Sequence, residues 1–144
     1  MKASFETLRF LTRVSFWAIS AALVSSVFGL AAADWPEWRG PHSSNAIEET
    51  GFPVQWSAED NIRWKVDLPD RGNSSPIVVD GKVIITQAIE KEHRRMTLAF
   101  DRQTGKRLWQ QEVIYDQQGT THPQTPYCAA SPTTAGKRIV STYG

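Results

Sequence analysis

The side chains best suited to binding or catalysis fall in two stretches, a charged run near the middle of the chain and a long polar connection after it. Together these stretches supply five candidate binding residues: His93, Arg94, Arg95, His122 and Tyr127. Both stretches are expected in loops on one side of the fold, which is where binding sites are commonly found. A structural interpretation competes for the last two, in which His122 bonds within its own proline-rich turn and Tyr127 packs beneath it.

No catalytic, cofactor-binding or metal-ligating residue can be assigned from this pattern. A metal pair of His93 and His122 lacks the third protein ligand that zinc sites use. Cys128 is the only cysteine, which excludes an intrachain disulfide and a cysteine-built metal site. As a nucleophile Cys128 is disfavoured, because neither a helix start nor a fixed base can be named beside it.

Alternating apolar and polar residues predict the strands that position these candidates. After Pro76 a short apolar run leads into Asp80-Gly81, which is a strong signal for a two-residue hairpin turn. A charged loop over 89–95 separates the next two strands. The prediction is a four-stranded antiparallel meander over residues 75–79, 83–88, 96–101 and 106–113.

In such a meander, the loop between the second and third strands lies on the same side as the connection to the next unit. We call this side the loop face and define it by residues 89–95 and 115–129. From Trp64 to Pro76 is 12 positions, whereas from Trp109 to Pro132 is 23, so the second connection is the longer. Long insertions on a rigid scaffold are where binding sites usually lie.

The third and fourth strands are joined by residues whose types have separate physical reasons. Asp accepts hydrogen bonds from a turn, Gly adopts the positive φ of a tight reversal, and Trp is a large aromatic anchor. The spacing is Ala-x-Asp-x-x-Thr-Gly-Lys-x-x-Trp, formed by Ala99, Asp101, Thr104, Gly105, Lys106 and Trp109.

This spacing resembles the tryptophan-docking motif of the PQQ-like (quinoprotein-type) β-propeller repeat family, which includes pyrroloquinoline quinone (PQQ) alcohol dehydrogenases and non-enzymatic propellers. Trp-Arg-Gly-Pro at residues 38–41 is similar to the start of secreted bacterial members. The resemblance implies an all-β fold in which the docking Trp fixes each blade to its neighbour. It also implies that PQQ and calcium are cofactors of the enzymatic members, although no cofactor site is evident here.

The strand pattern begins again after the long connection, because residues 130–140 repeat residues 74–84 with one residue of slack. Residues 61–68 alternate apolar and charged side chains, which predicts an N-terminal strand that closes the ring. A blade needs neighbours to bury its faces. The sequence therefore predicts a partial β-propeller of about one and a half four-stranded blades plus this closing strand. We expect an N-terminal fragment of an eight-bladed ring, whose remaining blades are partners.

The chain divides into a predicted signal peptide over 1–33, an irregular arm over 34–60 and propeller repeats over 61–144. The leader has basic residues, an uncharged stretch over 14–30 and a small-residue cleavage site before Asp34. We expect an exported protein, periplasmic or extracellular, without a membrane span after cleavage. The alternative is an uncleaved signal anchor that tethers the protein to the membrane.

Charge gives little support to nucleic acid as a partner, since residues 34–144 carry 13 basic and 14 acidic side chains. The leading functional hypothesis is a non-catalytic binding or scaffolding module that engages a protein or polysaccharide of the cell envelope. The alternative is the N-terminal part of a periplasmic PQQ-dependent oxidoreductase, which would need adjacent cysteines and an Asp base elsewhere. A third possibility is a remnant with no activity.

Overall fold

The computed structural model describes residues 33–117, 119 and 121–144, and these residues form an all-β structure. A four-stranded sheet has the order β1-β2-β3-β4, and a separate two-stranded sheet pairs β5 with β6. One 3-10 turn, Glu90–Glu92, joins β2 to β3. The strands are β1 Ile77–Val79, β2 Lys82–Ile89, β3 Arg94–Asp101, β4 Arg107–Ile114, β5 Thr133–Ala135 and β6 Arg138–Val140.

The structure describes almost none of the predicted leader. All of the predicted signal peptide except Ala33 lies outside the described residues. Within the described part of the chain, no helix has the length and apolar character needed to cross a membrane.

The predicted meander is confirmed, and its first turn follows from local chemistry. Asp80 and Gly81 both have positive φ, at 48° and 69°, as the two central residues of a type I′ turn require. This turn aligns Val79 with Lys82 and fixes the register of β1 against β2. The predicted strand pair in residues 130–140 is also confirmed, as the β5–β6 hairpin.

Two predictions about the loop between β2 and β3 are wrong. The strands run further than expected, so that Ile89 pairs with Arg94, and Ala88 pairs with Arg95. Arg94 and Arg95 are therefore strand residues and not part of a loop. Arg95 is also buried, whereas a charged loop tip would be solvated, because its side chain points to the face of the sheet that the rest of the chain covers.

One face of the four-stranded sheet packs against the second hairpin. Cross-strand partners align Ile77, Ile84, Ala99 and Trp109 in one row, and Ile139 of β6 packs against this row. Further along β3, the Thr97 hydroxyl bonds the following segment through Ser141 Oγ at 2.8 Å. The first sheet therefore buries this face against residues of the repeating second unit.

The opposite face carries Met96, Leu98 and Phe100, with Ile85 and Ile89 packed against them. Leu98 and Phe100 line a cavity of about 290 Å³ together with Val66 and Leu68. The predicted closing strand over 61–68 is wrong for the described chain, because these residues form no strand. Their backbone groups make no strand ladder with the described residues, and side chains hold the segment to the β3–β4 turn: the Trp64 indole donates to Arg102 O, and the Arg63 guanidinium donates to Gln103 Oε1.

The arm over 34–60 touches both sheets near its start. Trp35 forms an isolated antiparallel bridge to Val78, with N···O distances of 2.7 and 2.9 Å. Pro36 O accepts a hydrogen bond from Thr134 N at 3.1 Å. The two tryptophans at the start of this arm differ, since Trp35 is half-buried over Gly40 but Trp38 is 62% exposed beneath Arg39.

Candidate functional site

The turn between β3 and β4 is held by the carboxylate of Asp101. Its Oδ1 accepts three hydrogen bonds, from Thr104 N and Thr104 Oγ1 at 2.8 Å each and from Gln103 N at 3.0 Å. The backbone closes the turn through Asp101 N to Lys106 O at 2.8 Å and Gly105 N to Asp101 O at 2.9 Å. Asp101 therefore accepts local hydrogen bonds and Gly105 has a positive φ, as turn chemistry predicts, and the Thr104 hydroxyl adds a donor that the sequence did not single out.

Gly105 receives an aromatic ring from an earlier part of the chain. It has φ of +71°, and a Cβ on Gly105 would lie 2.7 Å from Cδ2 of Trp64. The Trp64 indole N–H donates to Arg102 O in the same turn, at 2.9 Å. The turn is thus a receptor for a tryptophan, and the bare face of Gly105 is what admits the ring.

The hydrogen bonds to Asp101 predict a specific response to acid. The Thr104 hydroxyl, followed by the Thr104 and Gln103 amides, lowers the pKa of Asp101. Because the folded pKa lies below the unfolded one, the stabilisation is present above about pH 4 and is lost as the pH falls through the folded pKa. We expect Thr104→Val, which removes the hydroxyl donor, to lower the melting temperature at pH 7 and to flatten its fall below about pH 4.

Thermal melts of both proteins from neutral to acidic pH measure this response. Ser57→Ala is the control, since Ser57 Oγ caps an exposed turn elsewhere through Asp60 N at 3.1 Å. Parallel acid limbs for the parent and Thr104→Val would contradict the role assigned to Asp101.

The Trp that ends the motif lies on the opposite face from Trp64. Trp109 pairs with Ala99, and the register of β3 and β4 shifts just beyond this pair. It is half-buried against Ile77, Ile84 and Ala99, with Ile139 in the same cluster. Trp64 and Trp109 thus pack against opposite sides of one sheet.

The segments that were predicted to form the loop face are in contact with one another. Tyr115 N donates to His93 O at 2.9 Å, which ties the start of the long connection to the end of the 3-10 turn. Arg71, in the connection before β1, forms an ion pair with Glu90 at 3.6 Å. The predicted proximity of the loop between β2 and β3 to the connecting segments is therefore confirmed.

The five candidate binding residues have different environments. His122 is exposed, and its Nδ1 accepts a hydrogen bond from Gln124 N at 3.2 Å, as the structural interpretation expects. His93 is half-buried with a left-handed backbone, and its Nδ1 has no partner among the described atoms. The guanidinium of Arg94 pairs with Glu92 at 3.0 Å and with Glu112. These ion pairs, chiefly that with Glu112, raise the pKa of Arg94.

The other two candidates are in direct contact. The guanidinium of Arg95 lies over the ring of Tyr127, 3.8 Å from its centroid. Both residues are buried, and the Tyr127 hydroxyl donates to Gly119 O. Tyr127 does pack beneath its loop, as the structural interpretation expects, but it also orients a buried cation.

Two neighbouring cavities extend from this pair between the first sheet and residues 139–143. The larger has a volume of about 470 Å³ and the smaller about 370 Å³. They share four lining residues: Arg95, Val113, Ser141 and Tyr143. A cavity of this size with a few converging polar groups is typical of a small-molecule site.

Cys128 has the properties of a structural residue. It is fully buried beside Ala88 and Tyr127, and its Sγ lies 3.6 Å from Arg71 O. Desolvation raises the pKa of the Cys128 thiol, so the thiolate that a nucleophile needs is disfavoured.

The described residues provide no ligand set that can be assigned to the PQQ or calcium of quinoprotein enzymes. No group of three or more His, Cys, Asp or Glu residues in the described part of the chain is placed to hold a metal ion. A calcium ion takes six to eight oxygen ligands, several of them carboxylates. No reaction step is therefore assigned to these groups.

Sequence reasoning missed the residues that complete the cavities, chiefly Thr97, Ser141 and Tyr143. Tyr143 OH lies 2.9 Å from Thr97 Oγ1. One signal was available, because Arg95, Thr97 and Ala99 alternate with Met96, Leu98 and Phe100. That alternation places Arg95 on the same face as the docking-motif Ala99.

Comparisons with protein-family models, with curated proteins and with solved structures find no match to this chain.

Proposed function

We propose that this chain is an exported, non-catalytic binding or scaffolding module built from β-propeller blades, which engages a protein or a polysaccharide through its loop face. The observation that carries the proposal is the docking of Trp64 on the turn of the next unit. Its indole lies against Gly105 and donates to Arg102 O at 2.9 Å. Trp109, at the end of that unit's own motif, packs instead on Ile77, Ile84 and Ala99.

The packing of the first sheet supports a propeller. A four-stranded meander with one face against the preceding segment and the other against the next hairpin is the arrangement expected of a blade between two neighbours. Ile62, Val66 and Leu68 remain 37–45% exposed on a segment without strand partners among the described residues. One apolar face of this segment is therefore left uncovered by the described residues.

The contacts between the connecting segments of the loop face support its use as a binding surface. The bonds from Tyr115 to His93 and from Arg71 to Glu90 tie three connecting segments together. A rigid scaffold with ordered loops is suited to presenting a binding surface. The near balance of charges favours a partner recognised by local contacts, and not a polyanion such as nucleic acid.

The proposal is tested on the full-length protein, produced with its leader in a bacterial host. We expect a mature N-terminus at Asp34 by mass spectrometry, no quinone absorbance and no calcium-dependent dye reduction. We also expect retention on insoluble cell-envelope polysaccharide or on immobilised envelope protein. His122→Ala should weaken that retention, whereas Lys137→Ala, in the exposed turn of the second hairpin, should leave it unchanged.

Two results would overturn parts of this proposal. Quinone absorbance with calcium-dependent dye reduction would support the oxidoreductase alternative. An intact Met1 in the membrane fraction would replace export with a signal anchor.

A further inference from the structure

The larger cavity behind the loop face contains a buried cation without a counter-ion. Arg95 is 4% exposed, and no carboxylate of residues 33–117, 119 or 121–144 lies within ion-pair distance of it. The one hydrogen bond of its guanidinium to the described residues, from Nη1 to Arg94 O, is long at 3.4 Å. Guanidinium groups carry several N–H donors, and burying a charge without a partner is unfavourable.

The nearest acids are occupied by the neighbouring arginine. Arg94 bonds Glu92 and Glu112 on the exposed side of β3. The ion pair with Arg94 lowers the pKa of Glu112 and keeps it ionised. Glu112 lines only the smaller of the two cavities, and its carboxylate is paired with Arg94, so it does not neutralise Arg95.

The surroundings of Arg95 fix its plane and provide neutral polar groups. Stacking on Tyr127 holds the guanidinium flat against the ring. On the other side, Tyr143 OH lies 2.9 Å from Thr97 Oγ1, which also bonds Ser141 Oγ. Desolvation raises the pKa of Tyr143, so its phenol remains protonated near neutral pH.

The residues that line the larger cavity suit a carboxylate better than other anions. Arg95 is the one cation among the described residues that line the larger cavity, and a planar guanidinium matches a carboxylate through two parallel hydrogen bonds. The remaining lining includes the rings of Tyr115, Tyr127 and Tyr143 and the hydroxyl of Ser141. Aromatic faces and hydroxyls suit the ring of a sugar, and about 470 Å³ accommodates a ring-sized group better than an extended peptide.

We propose that the cavity between Arg95, Tyr127 and Tyr143 binds the carboxylate of an acidic sugar, a uronate unit of a polysaccharide. This inference rests on the proposed binding function and names the ligand chemistry of its loop face. The carboxylate receives the guanidinium fork of Arg95, the sugar ring packs against the tyrosines, and its hydroxyls bond Tyr143 and Ser141.

Isothermal titration calorimetry on the full chain tests the proposal with two matched probes. Methyl β-D-glucuronide carries the carboxylate, and methyl β-D-glucoside is the same sugar with a neutral hydroxymethyl group. We expect the glucuronide to bind at least about tenfold more tightly, as charge-assisted hydrogen bonds to a buried cation require. This comparison uses the unaltered protein, so it does not depend on how any variant folds.

Substitutions then locate the site. Arg95→Met and Arg95→Lys should each lower the affinity for the glucuronide by at least about tenfold, because neither side chain has the planar pair of N–H donors of a guanidinium. Arg138→Met, on an exposed residue of β6, is the control and should bind as the parent does. Thermal melts check that each variant is folded, and Tyr143→Phe, which removes one hydroxyl, tests the same cavity if Arg95→Met does not fold.

Three outcomes would overturn the inference. Equal affinity for the glucuronide and the glucoside would show that the carboxylate is not recognised. The proposed function would then still hold, with a neutral polysaccharide as the partner. Unchanged glucuronide affinity in folded Arg95→Met would place the site elsewhere. Arg95-dependent binding of N-acetyl-Asp-Gly-amide in place of the glucuronide would identify an acidic peptide as the ligand.

Discussion

Replacing Gly105 by alanine is expected to lower the free energy of unfolding by about 2–4 kcal/mol, the range of substitutions that combine backbone strain with a steric conflict. Two effects add at this position. The φ of +71° is a left-handed conformation that is unfavourable for alanine, and the new Cβ would lie 2.7 Å from Cδ2 and 2.8 Å from Cε3 of Trp64. The indole is therefore forced to move, which breaks its hydrogen bond to Arg102 O.

Urea unfolding of the parent and the variant measures this effect, and the chain offers a matched control. Gly81 has a similar φ of +69°, but a Cβ there meets no atom within 4 Å. Gly81→Ala should therefore show only the left-handed strain, about 1 kcal/mol. Equal losses at the two glycines would contradict the docking of Trp64 on this turn.

A double-mutant cycle separates the steric conflict from the strain. In a Trp64→Ala background the ring is absent, so Gly105→Ala should be only as unfavourable as Gly81→Ala. Residues in contact have coupling energies of about 0.5–3 kcal/mol. Additive losses for Trp64→Ala and Gly105→Ala would show that the two residues do not interact.

Turns were the part of this fold that the sequence could predict, because turn chemistry is local. The Asp80-Gly81 pair needs positive φ at both residues, and no distant contact is required for that reversal. Asp101 likewise finds its three donors within the next three residues. Once these turns are placed, the alternation of apolar residues determines which side chains share a face.

The segment around Trp64 shows why the same alternation failed elsewhere. Residues 61–68 have the period of a strand, but a strand also needs a neighbour to receive its backbone hydrogen bonds. None of the described residues provides that neighbour, so the segment is held to the β3–β4 turn by the side chains of Trp64 and Arg63 and not by a backbone ladder. The alternation of apolar and polar residues indicates which side chains are buried, but it does not indicate whether the backbone has a partner strand.

The cavity at Arg95 could be predicted only in part. Alternation along β3 places Arg95 and Thr97 on the face of Ala99, but their neighbours Tyr127 and Tyr143 come from connections more than 30 residues away in the chain. Stacking of Tyr127 on Arg95 depends on how the long connection folds back over the sheet. Such non-local packing leaves no periodic signal in the sequence.

The second large effect is expected at Trp109, where substitution by alanine should lower the free energy of unfolding by about 2–4 kcal/mol. Its indole packs on Ile77, Ile84 and Ala99 in the first sheet and shares this cluster with Ile139 of the second. Removing the ring therefore leaves a cavity between the two sheets as well as exposing the row beneath it.

Trp38 provides the matched control, because it is 62% exposed and its ring contacts chiefly Arg39. Trp38→Ala should change the free energy of unfolding by less than about 1 kcal/mol. If Trp109→Ala also lowers the free energy of unfolding by less than about 1 kcal/mol, the Trp109 indole is not part of the core. A double-mutant cycle of Trp109→Ala with Ile139→Ala is the sharper measurement. A coupling energy of about 0.5 kcal/mol or more would show that the two sheets interact through this ring. Absence of that coupling would contradict the packing of the first sheet against the second hairpin through Trp109.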